Sequence, residues 1–317
     1  MLRFLARSEI DTVSWDACVA VSAQQIVYGY SWYLDAVLPG PDWKWIGLVI
    51  PDNAGVYRAV MPVPLRRRFG IWVVHQPLFC QFSGVFSPDQ TPDPTPFLRD
   101  IQQRYHYGSI LCLRPYPHPL LNFDIVRQRT THLLDLSVGY ETIVRHYTRD
   151  RKLNLRRAMK HGWSVTDSTD PEPLLTLFRD HHADGIDGGV GEWAYVILRR
   201  LVQTLQERGL ATLRYALTDG RIEAGALFAQ EGNRIIYLFN AASETGRRGN
   251  ARTLLIDQII RANAGKPVLF DFESPEKKSI VDFYRSFGAV ESVFREVRWS
   301  LLTWPEYAVK ALLKLFG

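Results

Sequence analysis

Two carboxylates lie in an apolar run that reaches from Val268 to Glu273. Asp271 and Glu273 alternate with phenylalanines, so in a strand both carboxylates face the same side of the sheet. A carboxylate beside apolar groups has a raised pKa and can remove a proton from an amine. We therefore expect Glu273 to act as a general base. Asp271 is a second catalytic candidate, but its deeper position also suits a structural ion pair with a basic neighbour such as Arg214.

A segment rich in glycine and arginine, from Ser243 to Asn250, leads into a helix with an apolar stripe. A helix N-terminus has unpaired amide hydrogens and a partial positive charge, so it can hold a pyrophosphate. Glycine lets the backbone approach closely, and arginine adds charge-assisted hydrogen bonds. The pattern predicts a phosphate-binding loop, and a solvated loop with an asparagine cap is the alternative. The candidate residues are Gly246, Arg247, Arg248, Gly249, Asn250 and Ala251.

The positive charge of the chain lies in one segment. The net charge is +5, yet seven basic residues and one acidic residue stand between Arg145 and His161, so the remainder sums to about −1. Apolar residues in this segment predict a helix with a buried side. Its basic face has three interpretations: a solvated surface, a site for phosphates of a tRNA or a cofactor, or a site for anionic lipid or a nucleotide-linked substrate. The basic residues are Arg145, Arg149, Arg151, Lys152, Arg156, Arg157 and Lys160.

Length and composition bound the class of protein. A chain of 317 residues, 46% of them hydrophobic, predicts a globular protein of two domains. No apolar run approaches the roughly 18 residues of a membrane span, and the N-terminus acquires charge too soon for a signal peptide. Cys18, Cys80 and Cys112 have no CxxC spacing, which favours reduced thiols in a cytoplasmic protein without a metal site. Adjacent His181 and His182 on a helix point apart and do not chelate together.

Periodicity and turn signals predict the elements that must position these residues. We place a domain boundary near residue 136, which divides the chain into 1–136 and 137–317. Asp219-Gly220 predicts a tight hairpin turn, and Gly162 ends a long helix. The first domain has extended runs over 43–50, 56–64 and 71–75. The second domain has predicted helices over 140–161, 171–182, 193–208 and 279–287, and an amphipathic C-terminal helix over 304–316. Its predicted strands lie over 163–167, 211–218, 222–230, 234–240, 268–273 and 291–299. A loop over 241–250 precedes a further helix.

The order of elements from Ala211 to Trp299 resembles the GNAT (N-acetyltransferase-type) fold. The segment from Phe283 to Gly288 is similar to the aromatic-Tyr-x-x-x-Gly segment of that superfamily. The segment from Asp150 to Trp163 is similar to one at the start of the second domain in Fem-type peptidyltransferases, which are tandem GNAT-like proteins. The strands over 43–75 fit a degenerate first copy. The resemblance implies an α/β (α+β) fold of two GNAT-like domains, each with a mixed, mostly antiparallel sheet flanked by helices.

This resemblance implies an N-acyltransferase, in which the hydroxyl of Tyr284 protonates the leaving thiolate. The donor is then acetyl-CoA or another acyl-CoA, and the acceptor is a small-molecule or peptide amine. The family's donor loop, Gln/Arg-x-x-Gly-x-Gly/Ala, is matched at its end by Gly249 and Ala251, while Gly246 stands at the Gln/Arg position.

Two alternatives stay open. Fem-type members use aminoacyl-tRNA and have no such loop, and a protein that has lost its donor site is a non-catalytic binding module. A pocket splayed between the strands at Phe239 and Phe270 favours the acyltransferase, and a pocket filled by side chains favours the binding module.

Overall fold

The computed structural model describes residues 2–38, 40–68, 70–89, 93–113, 123–186, 188–273, 277–304 and 306–307. The chain divides into two compact units, residues 1–129 with 293–317 and residues 130–292. Each unit combines helices with a mixed, mostly antiparallel sheet, which confirms the predicted fold class. The division of the chain at residue 136 remains a prediction. The predicted C-terminal helix over 304–316 lies outside the described residues, apart from 304, 306 and 307.

Twelve strands and ten α-helices are present among the described residues. In chain order the strands are β1 (Arg3–Ala6), β2 (Trp43–Pro51), β3 (Tyr57–Arg68), β4 (Ile71–His75), β5 (Tyr107–Leu113), β6 (Ile125–Asp135), β7 (Ser164–Ser168), β8 (Ala211–Thr218), β9 (Arg221–Glu231), β10 (Arg234–Ala242), β11 (Leu269–Asp271) and β12 (Val290–Ser300). The helices are α1 (Thr12–Ala20), α2 (Ser31–Val37), α3 (Thr95–Arg104), α4 (Tyr140–His146), α5 (Arg149–His161), α6 (Glu172–His181), α7 (Glu192–Glu207), α8 (Glu244–Arg248), α9 (Ala251–Asn263) and α10 (Lys278–Arg285).

The first unit has the strand order β1-β2-β3-β4-β5-β12. Its neighbouring strands pair antiparallel, except that β4 and β5 pair in parallel. Apolar side chains from this sheet and from α3 form one core, in which Trp299 packs where Gly108 leaves room for its ring. Phe97, Leu98 and Ile101 bring one face of α3 into that core.

The second unit has the strand order β6-β11-β10-β9-β8-β7. Here β10 and β11 form the parallel pair, and the other neighbouring strands pair antiparallel. The core lies between this sheet and the helices, with Phe228, Phe270 and Phe287 fully buried. At Asp219 and Gly220 φ is 50° and 72°, the conformation that a tight hairpin between β8 and β9 requires.

The basic segment forms two helices where the sequence predicts one. Thr148 has an extended backbone, and its side chain accepts a hydrogen bond from the amide of Arg151, so it caps α5 after α4 has ended. Gly162 has a φ of 80° and ends α5 as predicted.

Candidate active site

The parallel strands β10 and β11 separate soon after they meet. They pair over three residues only, from Arg234 with Leu269 to Ile236 with Asp271. A register shift between Tyr237 and Phe239 then interrupts the pairing of β10 with β9, and such an irregularity bends a strand. The divergence leaves a cavity of about 760 Å³. Its lining includes Tyr237, Phe239, Asn240, Arg252, Glu273 and Tyr284.

Glu273 reaches this cavity through an unusual backbone conformation. The strand ends at Asp271, two residues earlier than predicted, and Glu273 has a φ of 61°. The left-handed region is costly for a residue with a side chain, so neighbouring structure must stabilise it. The amide of Glu273 donates a 2.9 Å hydrogen bond to Oδ1 of Asp271, which helps to hold this turn. The alternation of side chains therefore does not extend from Asp271 to Glu273, and the prediction that both face one side of a strand is wrong.

Asp271 itself is fully buried and has several hydrogen-bond partners. Its Oδ2 lies 2.7 Å from Nη1 of Arg234, and its Oδ1 accepts a 2.6 Å hydrogen bond from Thr131. The expected ion pair exists, but with Arg234, because Arg214 pairs with Asp167 at 2.6 Å. Removing one partner of a buried pair leaves an uncompensated charge. The contacts of Asp271 suit a residue that positions Glu273.

Tyr284, on α10, lines the same cavity. It is only 8% exposed, and its ring packs 4.8 Å from that of Phe272, centroid to centroid. Burial, with smaller contributions from Tyr237 and Glu273, raises the pKa of its hydroxyl well above the ordinary value. The phenol is therefore protonated at neutral pH, as a proton donor must be.

Tyr237 is a cavity residue that the sequence did not single out. It is 3% exposed, and within the described part of the chain its hydroxyl has no hydrogen-bond partner. Burial raises the pKa of this hydroxyl too, so it is neutral. Its ring centroid lies 6.2 Å from that of Tyr284. An aromatic residue in a strand carries no local signal that separates it from ordinary core, so only the bulge next to it marks this position.

The predicted phosphate-binding loop contains a short helix, α8, where a loop was expected. A Cβ at Gly246 would collide with the carbonyl oxygen of Glu223, and one at Gly249 would collide with the ring of Trp163. The amide of Gly246 donates to Oγ of Ser243 at 3.0 Å, and that of Gly249 donates to the Thr245 carbonyl at 2.8 Å. Close packing thus explains both glycines, and their amides are engaged within the segment.

The seven basic residues of the segment from Arg145 to His161 do not share one environment. Arg151 is buried: its side chain donates to Ser286 at 2.8 Å and to Thr253, and it stacks on Phe283. The others are exposed, or half-buried in the case of Lys152, whose amine caps the Arg145 carbonyl at 2.9 Å. A nucleic acid could reach these others but not Arg151.

The described residues contain no group of three or more His, Cys, Asp or Glu side chains arranged to hold a metal ion. None of the helices in the described ranges is long and apolar enough to cross a membrane.

Comparisons with known proteins concern the domain type and the fold of the chain. The family model of the acetyltransferase (GNAT) domain matches residues 144–273. No curated protein sequence matches the chain.

Solved structures with the same fold extend over nearly the whole chain. FemX superposes with a TM-score of 0.65 at 12% identity, covering 90% of this chain and 96% of FemX. A tandem GNAT protein from the clavulanic acid biosynthesis pathway superposes with a TM-score of 0.53 at 15% identity, covering 94% and 98%. L-PGS from Bacillus licheniformis has a TM-score of 0.51 at 13% identity, covering 97% of each chain. The chain therefore shares its fold with FemX and with a tandem GNAT protein, and its residues 144–273 match the acetyltransferase (GNAT) domain.

Proposed function

We propose that the second unit is an N-acyltransferase that moves an acyl group from an activated donor to an amine. The observation that carries this proposal is the open cavity between the diverging strands β10 and β11, with Glu273 and Tyr284 in its lining. A cavity of about 760 Å³ is in the range of small-molecule sites. A binding module that had lost its donor site would be expected to fill this space with side chains.

In the proposed reaction, Glu273 accepts the proton of the attacking amine as the new N–C bond forms. Tyr284 donates its proton to the leaving group as the bond between the acyl carbon and that group breaks. The neutral hydroxyl of Tyr237 can donate a hydrogen bond to the oxygen of the tetrahedral intermediate. No covalent enzyme intermediate is required, because proximity and a general base are sufficient. Asp271 acts through Glu273, whose amide it binds.

For the donor we propose acetyl-CoA or another acyl-CoA, with its phosphates near residues Gly246 to Ala251. The amides of Gly246 and Gly249 are engaged, so a phosphate would meet the first turn of α9 and the exposed side chains of Arg247 and Arg248.

A second candidate is an aminoacyl-tRNA donor, as in Fem-type enzymes. The closed α8 segment weakens the acyl-CoA site, and the exposed basic side chains of α4 and α5 offer contacts to phosphates. These side chains are Arg145, Arg149, Arg156, Arg157 and Lys160, with half-buried Lys152.

The test is calorimetric titration of the purified chain with acetyl-CoA, followed by a thiol-release assay with a panel of small amines and short peptides. The matched variant is Arg247→Gln with Arg248→Gln, since both side chains are exposed and their removal leaves the packing of Gly249 intact. We expect micromolar binding that weakens in the variant, and thiol release that depends on the amine.

No heat with acetyl-CoA would remove the acyl-CoA version of the proposal. Filter binding of aminoacyl-tRNA would then be measured across salt concentrations, where a steep decline with salt would support the second candidate. Failure of both donors to bind would contradict the acyltransferase proposal.

A further inference from the structure

The charged side chains around the cavity are not balanced. Arg252 and Lys277 line it, and Glu273 is the acidic residue among its described lining residues. His182 also lines the cavity, but burial and the nearby Arg252 lower its pKa, so it is neutral at neutral pH. The cavity therefore has an excess of positive charge.

Arg252 is the cation held most firmly in this lining. It is half-buried in the first turn of α9, and its Nη1 donates to Oδ1 of Asn240 at 2.9 Å. Its guanidinium carbon lies 5.7 Å from the centroid of the Phe283 ring. No carboxylate among the described residues forms an ion pair with it. The asparagine and the ring orient the guanidinium without neutralising it.

Arg151 adds a second cation behind the same ring. It is 6% exposed, and its guanidinium carbon lies 4.3 Å from the Phe283 centroid and 4.5 Å from that of Phe287. Its hydrogen-bond partners are the hydroxyl groups of Ser286 and Thr253, and within the described ranges no carboxylate pairs with it. Phe283 thus lies against two guanidinium groups, one in the core and one facing the cavity.

Uncompensated buried charge is costly, and protein sites of this kind are usually neutralised by a partner. Low-dielectric walls also strengthen the field of such cations toward a ligand inside the cavity. The guanidinium of Arg252 matches a planar carboxylate, which it can bind with two parallel hydrogen bonds. The other walls are apolar and aromatic, from Phe178, Phe239 and Phe272.

We propose that Arg252 binds a carboxylate of the substrate in this cavity, with Arg151 reinforcing the positive potential. The assignment of this substrate as the acceptor rests on the proposed function. The acceptor is then an amine that also carries a carboxylate, as amino acids and peptides do. Its amine faces Glu273, and its carboxylate faces Arg252.

The binding test needs no turnover. Calorimetry compares 3-phenylpropionate with its neutral isostere 3-phenylpropionamide on the intact chain, because the two ligands differ in charge and share an aromatic body. We expect the carboxylate to bind about tenfold tighter or more, the range of a hydrogen bond to a charged group. Arg252→Gln should remove this preference. Lys278→Gln is the matched control, because Lys278 is exposed on α10 and pairs there with Asp282, and it should change affinity by less than about threefold.

Equal affinity for the two ligands, or no binding of the carboxylate at millimolar concentration, would overturn the proposal. The comparison of two ligands on the wild-type chain stands even if Arg252→Gln folds poorly, which circular dichroism would reveal. Inorganic phosphate is the third ligand, and phosphate that displaces 3-phenylpropionate with the higher affinity would overturn the carboxylate assignment.

Glu273→Gln separates this inference from the proposed chemistry. Loss of the negative charge should leave 3-phenylpropionate binding unchanged or stronger, while kcat for acyl transfer falls by about 10²–10⁴-fold. Weaker binding in Glu273→Gln would contradict the arrangement in which the carboxylate is held by Arg252 away from Glu273.

Discussion

The two units have the same strand order but differ where their parallel strands separate. In the first unit β1-β2-β3-β4 is followed by β5 and β12, and in the second β7-β8-β9-β10 is followed by β11 and β6. In each unit the fourth and fifth strands of this order form the parallel pair. The same spatial order of six strands, with the parallel pair in the same place, is therefore present twice in the chain.

In the first unit, the chain itself fills the place beside β5. After β4 ends, the amide of Gln76 donates to the Ile110 carbonyl at 3.0 Å, and the amide of Ser83 donates to the Cys112 carbonyl at 2.7 Å. Ser83 then forms a parallel bridge with Leu113. The edge of β5 is thus paired to its end by residues that belong to the long connection between β4 and α3.

In the second unit, the connection after β10 folds at once into α8 and α9 and supplies no such segment. The last pair of β10 with β11 is Ile236 with Asp271, and the amide of Phe272 turns instead to the His132 carbonyl of β6 at 2.9 Å. The fold thus creates a gap in both copies, and the segment after the fourth strand decides whether the gap stays open for a ligand.

The largest effects should come from the open gap. We expect Glu273→Gln to lower kcat by about 10²–10⁴-fold, because a general base supplies a rate factor of this size, and Tyr284→Phe to have an effect of similar or smaller size. Thiol release with the amine found in the panel is the measurement. Tyr33→Phe in the first unit is the control, since the Tyr33 hydroxyl donates to the Phe79 carbonyl and should leave turnover within about threefold of wild type. Loss of activity in Tyr33→Phe with normal activity in Tyr284→Phe would mean that catalysis belongs to the first unit.

The free energy of unfolding should depend more on the filled gap of the first unit than on the open gap of the second. Phe86 belongs to the connection between β4 and α3, which fills the first gap. It is 1% exposed and exchanges backbone hydrogen bonds with Val60. Phe86→Ala should therefore lower the free energy of unfolding by about 3–5 kcal/mol, the cost of removing a buried phenylalanine.

Phe239 is the matched position, a half-buried ring in the wall of the open cavity. Phe239→Ala should cost about 1 kcal/mol, because water already reaches one side of this ring. Urea unfolding curves of the two variants measure both values. Equal decreases in stability would mean that the two gaps are filled to the same extent, contrary to the structure.

Much of the fold could be predicted because its signals are local. The strand Ile71–His75 and the strand Ala211–Thr218 have the predicted bounds, and the αL glycine at Gly162 ends its helix where expected. These features depend on alternation, turn chemistry and a positive φ, which neighbouring residues determine. The aromatic-Tyr-x-x-x-Gly segment likewise led to Tyr284 from sequence alone.

Features that depend on distant partners could not be predicted in this way. Strand β6 was missed because polar residues such as Arg127 and Gln128 hide its pattern, and it forms by pairing with β11. The partner of Asp271 is Arg234 because Ile236 of β10 lies beside Asp271, a register that only the assembled sheet determines. The left-handed Glu273 depends on the same assembly indirectly, because the Asp271 carboxylate that binds its amide is itself held by Arg234 and Thr131.

The pH dependence of the free energy of unfolding tests whether His75 is partly buried beside the filled gap of the first unit. His75 lies in the last parallel pair of β4 with β5, where burial, followed by the charges of Arg68 and Arg66, lowers its pKa to about 4. Because the unfolded value is about 6.5, the unfolded chain takes up a proton first. The contribution of His75 to the free energy of unfolding is therefore complete above pH 6.5 and is lost as the pH falls toward 4. The loss amounts to about 2 kcal/mol after allowance for the partial exposure of the side chain.

Unfolding midpoints between pH 7.5 and 4 measure this decline, and His75→Gln is the control that should flatten it. An unchanged slope in His75→Gln would show that the decrease of stability in acid arises elsewhere, for instance from the carboxylates. Burial opposes the low pKa of Glu296, but hydrogen bonds from Arg298 and Arg129 hold it below its ordinary value, so its contribution disappears only at lower pH.

The smallest effect expected concerns nucleic acid, and it separates the two candidate donors. Arg156→Gln with Arg157→Gln removes two exposed charges of α5 in the second unit, and Arg67→Gln with Arg68→Gln removes the same charge from β3 in the first. If the donor is an aminoacyl-tRNA held by α5, the first pair should reduce the salt-dependence slope of tRNA binding by about 0.7–0.9 for each phosphate that the variant no longer neutralises, while the second pair leaves it unchanged. Equal reductions would indicate a nonspecific response to net charge. No effect of either pair would remove the tRNA interpretation of the basic segment and leave α5 as a solvated face around the buried Arg151.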